Sequence, residues 1–435
     1  MKKVLLIGNG ARERVIAETL KRSRQPVHLY VIGKAKNPAI AEMAEEYILG
    51  DICDADFVVE FAKKCEPDFA VVGPEAPIAA GITDALLEAG VQSASPLQTV
   101  GRLESSKAFT RKLLERYGIS GNPRFKSFES EEGLEDFFNE LGEDYVVKSD
   151  GLQGGKGVKV SGDHLHGIAE GIAFAKECIA GDGRVVIEEK FVGQEFSLMS
   201  FCDGTHTVEM PAVQDHKRAY EGDEGPNTGG MGSYSDANHS LPFLTDEHIA
   251  AAAQITSQVA EALHKETGAE FKGVMYGGFI ATKNGVRLIE YNARFGDPEA
   301  VNVLPLLKTD FVEICEAIIH GTLDELNVEF DDKATVCKYV VPEGYPDNSV
   351  AGEKIELEEV PEGVHVYYAS VDQREDGLYL SGSRAIAFVG VASNIFEAEK
   401  IAQSAVASVK GPVFYRKDIG THELINKRVE MMKNL

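Results

Sequence analysis

The chain has 435 residues, which at roughly 150 residues per domain predicts about three domains. Its 70 acidic residues against 44 Lys and Arg give a formal net charge of -26, which repels nucleic-acid backbones at long range and excludes nucleic acid as a main partner. Six scattered cysteines predict reduced, mostly buried thiols in a cytoplasmic protein, and no run of the sequence approaches the ~20 apolar residues of a membrane span.

The N-terminal part of the chain alternates short apolar runs with amphipathic segments, the pattern of parallel βαβ units. The apolar runs predict strands over residues 4–7, 27–32, 69–72 and 91–94. Helical spacing of apolar residues predicts helices over 12–21, 56–64 and 79–89. A Gly-Pro turn at 73–77 follows one of these strands, at the edge where open parallel sheets bind their ligands.

The middle and C-terminal parts predict a mixture of helices and strands. We predict helices over 107–116 and 249–264, and strands over 145–149, 158–160, 185–188, 196–201, 273–281 and 286–291. The segment 215–235 is too polar and too rich in Gly and Pro for a core element. The last part is β-rich, with strands predicted over 335–341, 364–370 and 384–391 before a helix over 395–409. The predicted fold class is therefore a parallel α/β unit followed by α+β units.

The first candidate ligand site is Gly8-Asn9-Gly10, a glycine turn between the first strand and the first helix. Such a turn presents backbone N–H groups at a helix N-terminus, which suits an anion. The full dinucleotide pattern is not met, because Glu13 replaces the third glycine and Gly33-Lys34 stands where an acidic residue is expected. A structural turn and a ligand site are equally good interpretations.

The second candidate is the glycine-rich segment between the strands predicted at 145–149 and 158–160. Four of the seven residues at 151–157 are glycine, which favours close approach of the backbone to a ligand, and Lys148 and Lys156 add positive charge. The Walker pattern fails, because Asp150 replaces its first glycine and Gly157 its Ser or Thr. We interpret the segment as a polyphosphate cradle in preference to a flexible hairpin with a solvated lysine.

A third candidate lies on the strand predicted over 286–291 and just after it. Residues two apart on a strand project from the same face, so Glu290, Asn292 and Arg294 align. Two oxygen donors and a guanidinium suit Mg²⁺ coordination and phosphate neutralisation. A solvated polar face alternating with Ile289 and Tyr291 is an equally good interpretation.

The polar segment 214–232 is the fourth candidate. It combines Asp215, His216, Lys217 and Arg218 with a glycine-rich run at 225–232. A loop of this length is usually functional or disordered. Its acid, its cations and its glycines suit capture of a zwitterionic or phosphorylated substrate, whereas His216 alone is a poor candidate for a general base.

Taken in this order, the segments resemble the phosphoribosylamine–glycine ligase family, also called glycinamide ribonucleotide synthetases, of the ATP-grasp superfamily. The resemblance extends over essentially the whole chain. Its motifs are Gly8-Asn9-Gly10, Gly73-Pro74-Glu75-Ala76-Pro77, Ser106-Lys107-Ala108-Phe109, Gly155-Lys156-Gly157-Val158, Gln214-Asp215-His216-Lys217-Arg218, Pro226-Asn227-Thr228-Gly229-Gly230-Met231-Gly232, Arg294-Phe295-Gly296-Asp297-Pro298-Glu299, Gly344-Tyr345-Pro346 and Arg416-Lys417-Asp418-Ile419-Gly420. The chain departs from the family pattern at Ala11, Arg14, Gly33-Lys34 and Leu152-Gln153-Gly154.

The resemblance implies an ATP-dependent ligase of de novo purine biosynthesis. It joins glycine to 5-phosphoribosylamine through a glycyl phosphate, giving glycinamide ribonucleotide, ADP and phosphate. The implied domains are an N-terminal α/β substrate-binding domain over 1–103, an ATP-grasp domain over 104–328 with a lid at about 123–189, and a β-rich C-terminal domain over 329–435. The implied partners are these small molecules, and the implied state is a monomer or weak homodimer.

The resemblance also implies a set of site residues. The residues expected at ATP are Lys107, Lys148, Gly154, Gly155, Lys156, Gly157, Glu188, Glu189, Phe191 and Glu195. Those expected at the other substrates are Gly10, Glu75, Asp215, Lys217, Gly229, Arg294 and Asp297. Lys148, Asp215 and Arg294 are the expected catalytic residues, and no general base is assigned. Glu290 and Asn292 are expected to hold Mg²⁺ or Mn²⁺, and the strand predicted at 273–281 offers no further carboxylate.

Three alternatives remain open from the sequence. Another ATP-grasp ligase or carboxylase would share the phosphate and metal residues but not the 214–232 block. A non-catalytic nucleotide-binding protein would bind ATP without releasing ADP. A nicotinamide oxidoreductase would rest on the turn Gly8-Asn9-Gly10 alone.

Overall fold

The computed structural model describes residues 1–154 and 157–435. Its N-terminal part is a parallel sheet in the order β3-β2-β1-β4. The strands are β1 (Lys2–Ile7), β2 (Val27–Gly33), β3 (Ala44–Leu49) and β4 (Phe69–Val72). The helices are α1 (Ala11–Lys21), α2 (Pro38–Ala41), α3 (Ala55–Cys65), α4 (Glu75–Ala79) and α5 (Ile82–Glu88). Val4 and Leu6 of β1 belong to one buried cluster and Leu5 and Ile7 to another, because alternate residues of a strand face opposite sides of the sheet.

Two predictions for this part need correction, and one strand was missed. The strand predicted at 91–94 is only an isolated bridge between Ala70 and Ser93. The helix predicted at 79–89 is two helices, α4 and α5, because Gly81 adopts a left-handed conformation with φ of 82°. Strand β3 was not predicted, and its half-buried side chains explain why it lacks a clear apolar pattern.

The middle of the chain holds two antiparallel sheets on either side of a cleft. The first has the order β5-β8-β6-β7 and the second the order β10-β9-β15-β16. Their strands are β5 (Phe125–Phe128), β6 (Tyr145–Ser149), β7 (Val158–Val160), β8 (Val185–Glu189), β9 (Gly193–Asp203), β10 (Thr207–Glu209), β15 (Lys272–Thr282) and β16 (Gly285–Asn292). The helices are α6 (Gln98–Ser105), α7 (Lys107–Arg116), α8 (Leu134–Leu141), α9 (Ile168–Asp182), α10 (Asp246–Thr267), α11 (Glu299–Val303) and α12 (Phe311–His320), with 3₁₀ turns at Leu304–Leu306 and Leu323–Glu325.

The C-terminal part is built on a sheet in the order β11-β14-β17-β22-β19, with β24 also paired to β17. A smaller sheet has the order β20-β21-β18-β23, and β12 pairs with β13. The strands are β11 (Gln214–Asp215), β12 (Arg218–Tyr220), β13 (Glu224–Asn227), β14 (Gly232–Ser235), β17 (Ala334–Pro342), β18 (Ala351–Leu357), β19 (His365–Tyr368), β20 (Val371–Arg374), β21 (Gly377–Ser381), β22 (Ile386–Ala392), β23 (Val409–Lys410) and β24 (Val413–Phe414). The helices are α13 (Ile395–Val406) and α14 (His422–Lys433).

The segment 215–235 was predicted to contribute no core element, and this is wrong. Strand β14 is fully buried and pairs with β17 in the sheet of the C-terminal part. Gly232 permits this close approach, because a Cβ there would lie 2.3 Å from the carbonyl oxygen of Cys337. The helix predicted at 395–409 ends at Val406, since the chain turns there into β23. The predicted fold class, α/β followed by α+β, is confirmed.

All six cysteines are free thiols, and all but Cys53 are buried. Among the described residues, no helix is both long enough and apolar enough to span a membrane.

Candidate active site

A cavity of about 630 Å³ opens between the β5-β8-β6-β7 sheet and strands β15 and β16. It brings together most of the residues predicted for the site, although they come from segments far apart in the chain. The predicted residues that line it are Glu75, Lys107, Lys148, Gly154, Gly157, Glu188, Glu189, Phe191, Glu195, Asp215, Lys217, Gly229, Glu290, Asn292, Arg294 and Asp297. Gly10 does not line the cavity, and Gly155 and Lys156 lie outside the described residues.

Lys107 begins helix α7 and is joined to the glycine-rich segment by Asp150. Ser106 caps the helix, its hydroxyl accepting from the backbone N–H of Phe109. Asp150 accepts from the backbone N–H of Lys107 at 2.6 Å, and the Lys107 ammonium donates to the carbonyl of Gly151 at 2.9 Å. The aspartate that breaks the Walker pattern therefore fixes the start of the glycine-rich segment to the helix.

Lys148 belongs to a buried ionic cluster with Glu188 and Arg111. Its ammonium lies 2.8 Å from Glu188 Oε2 and donates to the carbonyl of Ile289 at 2.8 Å. Arg111 holds the same carboxylate with two further contacts, at 2.6 and 3.0 Å. Burial lowers the pKa of Lys148, and burial would raise the pKa of Glu188 if Arg111 and Lys148 did not lower it. The Glu188 carboxylate is thus an internal counter-ion, and its expected contact with ATP stays a prediction.

Glu290 and Asn292 lie on β16 and line the cavity, and Tyr291 between them is buried in a hydrophobic cluster. Glu290 Oε1 lies 3.4 Å from the Lys217 ammonium. Burial alone would raise the pKa of Glu290, but Lys217, Lys148 and Lys107 lower it to about 2. The site therefore offers an ionised carboxylate and an amide oxygen side by side, which are hard donors of the kind Mg²⁺ and Mn²⁺ take.

An acid pair that the sequence did not reveal lies beside these residues. Asp215 and Glu299 both line the cavity, and the Tyr276 hydroxyl donates to Glu299 Oε1 at 2.7 Å. Burial and mutual repulsion raise the pKa of Asp215, and burial raises that of Glu299. Glu299 follows the predicted Arg294–Asp297 residues in the chain, but nothing local in the sequence indicates that it meets Asp215.

Two arginines lie close together at the N-terminal side of the cavity. Arg294 contacts Glu104 at 2.8 Å and Glu75 at 3.4 Å. Arg12 contacts Glu13 at 2.6 Å and also lines the cavity. Burial would lower the pKa of Arg294, but Glu104 and Glu75 raise it, so the guanidinium stays charged. Arg12 and Glu104 were not predicted, although Arg12 lies only two residues after the glycine turn.

The glycine turn itself binds a carboxylate of the protein. Glu13 Oε2 accepts from the backbone N–H of Gly10 at 2.7 Å. A Cβ at Gly8 or at Gly73 would lie within 2.6 Å of Glu13 side-chain atoms, so the glycines make room for this side chain. The turn therefore carries its own anion, which favours the structural interpretation and removes the support for a nicotinamide site.

His216 is buried, with its Nδ1 atom 3.2 Å from the carbonyl oxygen of Gly232. Burial, together with Arg428 and Arg416, lowers its pKa to about 3. A neutral ring with so low a pKa is unsuited to proton abstraction near neutral pH, in line with the prediction. The C-terminal part also contributes Arg384 and Arg428 to the cavity lining, and neither was predicted.

Comparison with known families matches nearly the whole chain. Residues 2–104, 105–300 and 335–422 match the phosphoribosylglycinamide synthetase N domain, ATP-grasp (A) domain and C domain, respectively. The chain is 49% identical over 433 residues to the phosphoribosylamine–glycine ligase of Methanosarcina barkeri, covering 100% of this chain and 99% of that relative. It is 50% identical over 443 residues to the enzyme of the same name from Methanocaldococcus jannaschii, covering 100% and 99%.

Solved structures of related proteins have the same overall fold. A phosphoribosylamine–glycine ligase from Thermotoga maritima superposes with a TM-score of 0.81 at 27% identity, covering 96% of this chain and 100% of that chain. The biotin carboxylase domain of the Hydrogenobacter thermophilus 2-oxoglutarate carboxylase, solved with MgADP and bicarbonate, gives a TM-score of 0.73 at 16% identity and covers 99% of this chain and 94% of that one. The second likeness supports the fold alone.

Proposed function

The chain belongs to the phosphoribosylglycinamide synthetase family, and from that premise we propose how it joins glycine to 5-phosphoribosylamine: through a glycyl phosphate made from ATP. The overall reaction is an ADP-forming carbon–nitrogen ligation, the glycine-adding step of purine biosynthesis. One observation carries the proposal. A single cavity holds two lysines at a glycine-rich segment, an oxygen pair on a strand, and an acid pair next to an arginine.

ATP occupies the part of the cavity between the two antiparallel sheets. Lys107 and Lys148 neutralise its phosphates, and the glycine-rich segment approaches them through its backbone at Gly151, Gly154 and Gly157. Glu189 and Phe191 lie along the adenine, and Glu195 accepts from the ribose hydroxyls. The Asp150 link between the segment and α7 supports this assignment, because it holds the phosphate cradle and Lys107 together.

Glu290 and Asn292 hold Mg²⁺ or Mn²⁺. The fit rests on their chemistry: one side chain is an ionised carboxylate with a pKa of about 2, and both donors lie on the cavity face of β16. The bound cation supplies charge neutralisation at the phosphate oxygens of ATP. The Lys217 ammonium, 3.4 Å from Glu290, keeps that carboxylate ionised and supplies further positive charge.

Glycine enters beside the acid pair. Asp215 and Glu299 receive its ammonium, and the Tyr276 hydroxyl keeps the Glu299 carboxyl oriented. Arg294 stabilises the charge that develops as a glycine carboxylate oxygen attacks the γ-phosphorus. That attack forms the new oxygen–phosphorus bond, breaks the bond to the β–γ bridging oxygen, and releases ADP.

The amine of 5-phosphoribosylamine then attacks the acyl carbon of glycyl phosphate. The carbon–nitrogen bond forms, the carbon–oxygen bond to phosphate breaks, and the amine loses a proton to the departing phosphate or to water. Arg294 and Glu75 line the N-terminal side of the cavity and orient the sugar phosphate, whereas Gly229 and Asp297 lie at the glycine end, near Asp215. Gly10 acts through the Glu13 side chain that it binds, so its role is to shape the turn.

We further propose that the chain divides into the three domains predicted from the sequence, 1–103, 104–328 and 329–435. The family matches at 2–104, 105–300 and 335–422 support this division. Strand β14 nevertheless joins the sheet of the last unit, so the domains share a continuous sheet.

The test is ADP release measured with glycine and freshly generated 5-phosphoribosylamine, each omitted in turn. Full turnover is expected only when both are present with ATP and Mg²⁺. The proposal is refuted if turnover instead follows bicarbonate or a different amino acid. It is equally refuted if ATP binds without any ADP release, the behaviour of a non-catalytic nucleotide-binding protein.

A further inference from the structure

Arg384 extends from the C-terminal part of the chain into the cavity. It lies between β21 and β22. Its backbone carbonyl accepts from the N–H of Ser370, and the N–H of the next residue, Ala385, donates to the carbonyl of Val340. Its side chain is only 14% exposed. The guanidinium lies over the ring of Tyr339, 4.5 Å from the centroid.

The two Nη atoms of Arg384 contact two neighbouring turns. Its Nη1 donates to the carbonyls of Gly229, Gly230 and Asp297 at 2.8, 3.2 and 3.1 Å, and Nη2 lies 3.1 Å from Asp297 Oδ2. A second side chain of the same region assists, because the Gly229 N–H donates to the Tyr345 hydroxyl at 3.1 Å. The Arg384 guanidinium therefore joins two turns, at 229–230 and at 297, through hydrogen bonds.

The 229–230 turn lies directly against Asp215. A Cβ placed on Gly230 would come within 2.6 Å of Asp215 Oδ1 and 2.7 Å of Pro298 Cδ, so the turn and the carboxylate are in van der Waals contact. Any displacement of the 229–230 turn would change the space available to a ligand beside Asp215 and Glu299. Arg384 itself need not touch a substrate to have this effect.

We propose that Arg384 is a positioning residue for the glycine end of the cavity: it fixes the 229–230 turn against Asp215, so a residue of the C-terminal part sets how glycine is held. The inference rests on the proposed function of Asp215. Arginine suits the task because its planar fork reaches several acceptors at once, whereas a lysine ammonium would reach fewer of them with less fixed geometry.

The test compares Arg384→Lys with wild type in steady-state ADP release. The KM for glycine is expected to rise by about 10- to 100-fold, because charge-assisted contacts to the turn are lost, while the KM for ATP changes by less than about twofold. The matched control is Arg374→Lys, since Arg374 also lies over a tyrosine, Tyr379, and pairs with Asp372, but on the surface. The control should leave both KM values at the wild-type level.

A second variant distinguishes a specific effect on glycine binding from a general loss of folding stability. Tyr345→Phe removes only the hydroxyl that accepts from Gly229, and it should raise the KM for glycine in the same selective way by a smaller factor. Equal rises in the KM for glycine and for ATP, or no change in either variant, would overturn the inference. If instead wild type itself releases no ADP with glycine and 5-phosphoribosylamine, the failure lies with the proposed function.

Discussion

Lys148 is the residue whose replacement separates catalysis from stability most cleanly. Lys148→Met keeps most of the side-chain volume and removes the ammonium from a position that is 4% exposed. Its two partners are not left without hydrogen bonds. Glu188 retains two contacts from Arg111, and the Ile289 carbonyl also accepts from Arg111 at 2.6 Å.

The magnitudes follow from this arrangement. Loss of one charge-assisted hydrogen-bond donor whose acceptors stay satisfied should cost about 1–2 kcal/mol of folding stability. Burial already lowers the pKa of Lys148, so removing the charge also removes a desolvation cost. The expected loss of folding stability therefore lies towards the lower end of this range. If the ammonium faces the transferring phosphate, its loss should lower kcat by about 10²–10³-fold, the usual effect of removing one preorganised charge donor.

Lys338→Met is the matched control. Lys338 is a second buried lysine, fully inaccessible, with Glu399 at 2.5 Å, Gln403 at 2.7 Å and the Lys417 carbonyl at 2.8 Å, and it does not line the cavity. Its replacement leaves Glu399 without that cation, so about 3–5 kcal/mol of stability should be lost. The folded fraction should keep its kcat.

The assay pairs urea unfolding, followed by circular dichroism, with ADP release at saturating substrates. We expect opposite effects on the two quantities. Lys148→Met should keep most of its folding stability but have a low kcat, whereas Lys338→Met should lose stability but keep its kcat. The reasoning fails if Lys148→Met retains kcat within about threefold of wild type, or if its loss of activity only parallels its loss of folded protein.

Three further perturbations test the charged groups around the cavity. Burial and repulsion raise the pKa of Asp215, and burial raises that of Glu299. If this pair binds the glycine ammonium as proposed, binding is expected to require the ionised pair. The KM for glycine should therefore fall by up to about tenfold per pH unit as the pH rises through the pair's titration, and a steep profile that persists in Asp215→Asn would contradict this. Burial would raise the pKa of Asp223, but Arg428 and its neighbours lower it from 3.8 to about 2, so its stabilisation is complete above pH 3.8 and lost as the pH falls through 2. Asp223→Asn should cost about 2 kcal/mol in urea unfolding at neutral pH and far less near pH 2, and a cost independent of pH would count against the ion pair. Glu290→Gln should raise the Mg²⁺ concentration needed for half-maximal ADP release by at least about tenfold, and an unchanged Mg²⁺ titration would exclude Glu290 as a metal ligand.

The sequence predicted elements well where local signals were complete. Helix α7 and strands β6 and β7 fall at their predicted bounds, and α7 has a clear start because Ser106 caps it. The strand predicted at 91–94 failed because pairing there is limited to one bridge at Ser93, and Pro96 lacks the N–H needed to continue a ladder. Strand β14 was missed because it follows a glycine-rich run and carries polar residues, which pair with the distant strand β17.

The candidate site was predicted in the same partial way. Motif residues such as Lys148, Asp215 and Glu290 were named from local patterns, and they share one cavity. The contacts of Arg384 could not be found from the sequence, because the arginine lies 155 residues from Gly229. Glu299 became visible as part of an acid pair only once the fold brought it to Asp215.

The most direct test of the proposed chemistry is to follow oxygen from glycine. Glycine labelled with ¹⁸O in its carboxylate is supplied with ATP, Mg²⁺ and 5-phosphoribosylamine, and the phosphate released is analysed by mass spectrometry. A glycyl phosphate intermediate predicts one labelled oxygen in each phosphate released, and no labelled phosphate when glycine ligation is prevented by omitting ATP. Formation of glycinamide ribonucleotide with entirely unlabelled phosphate would contradict the account.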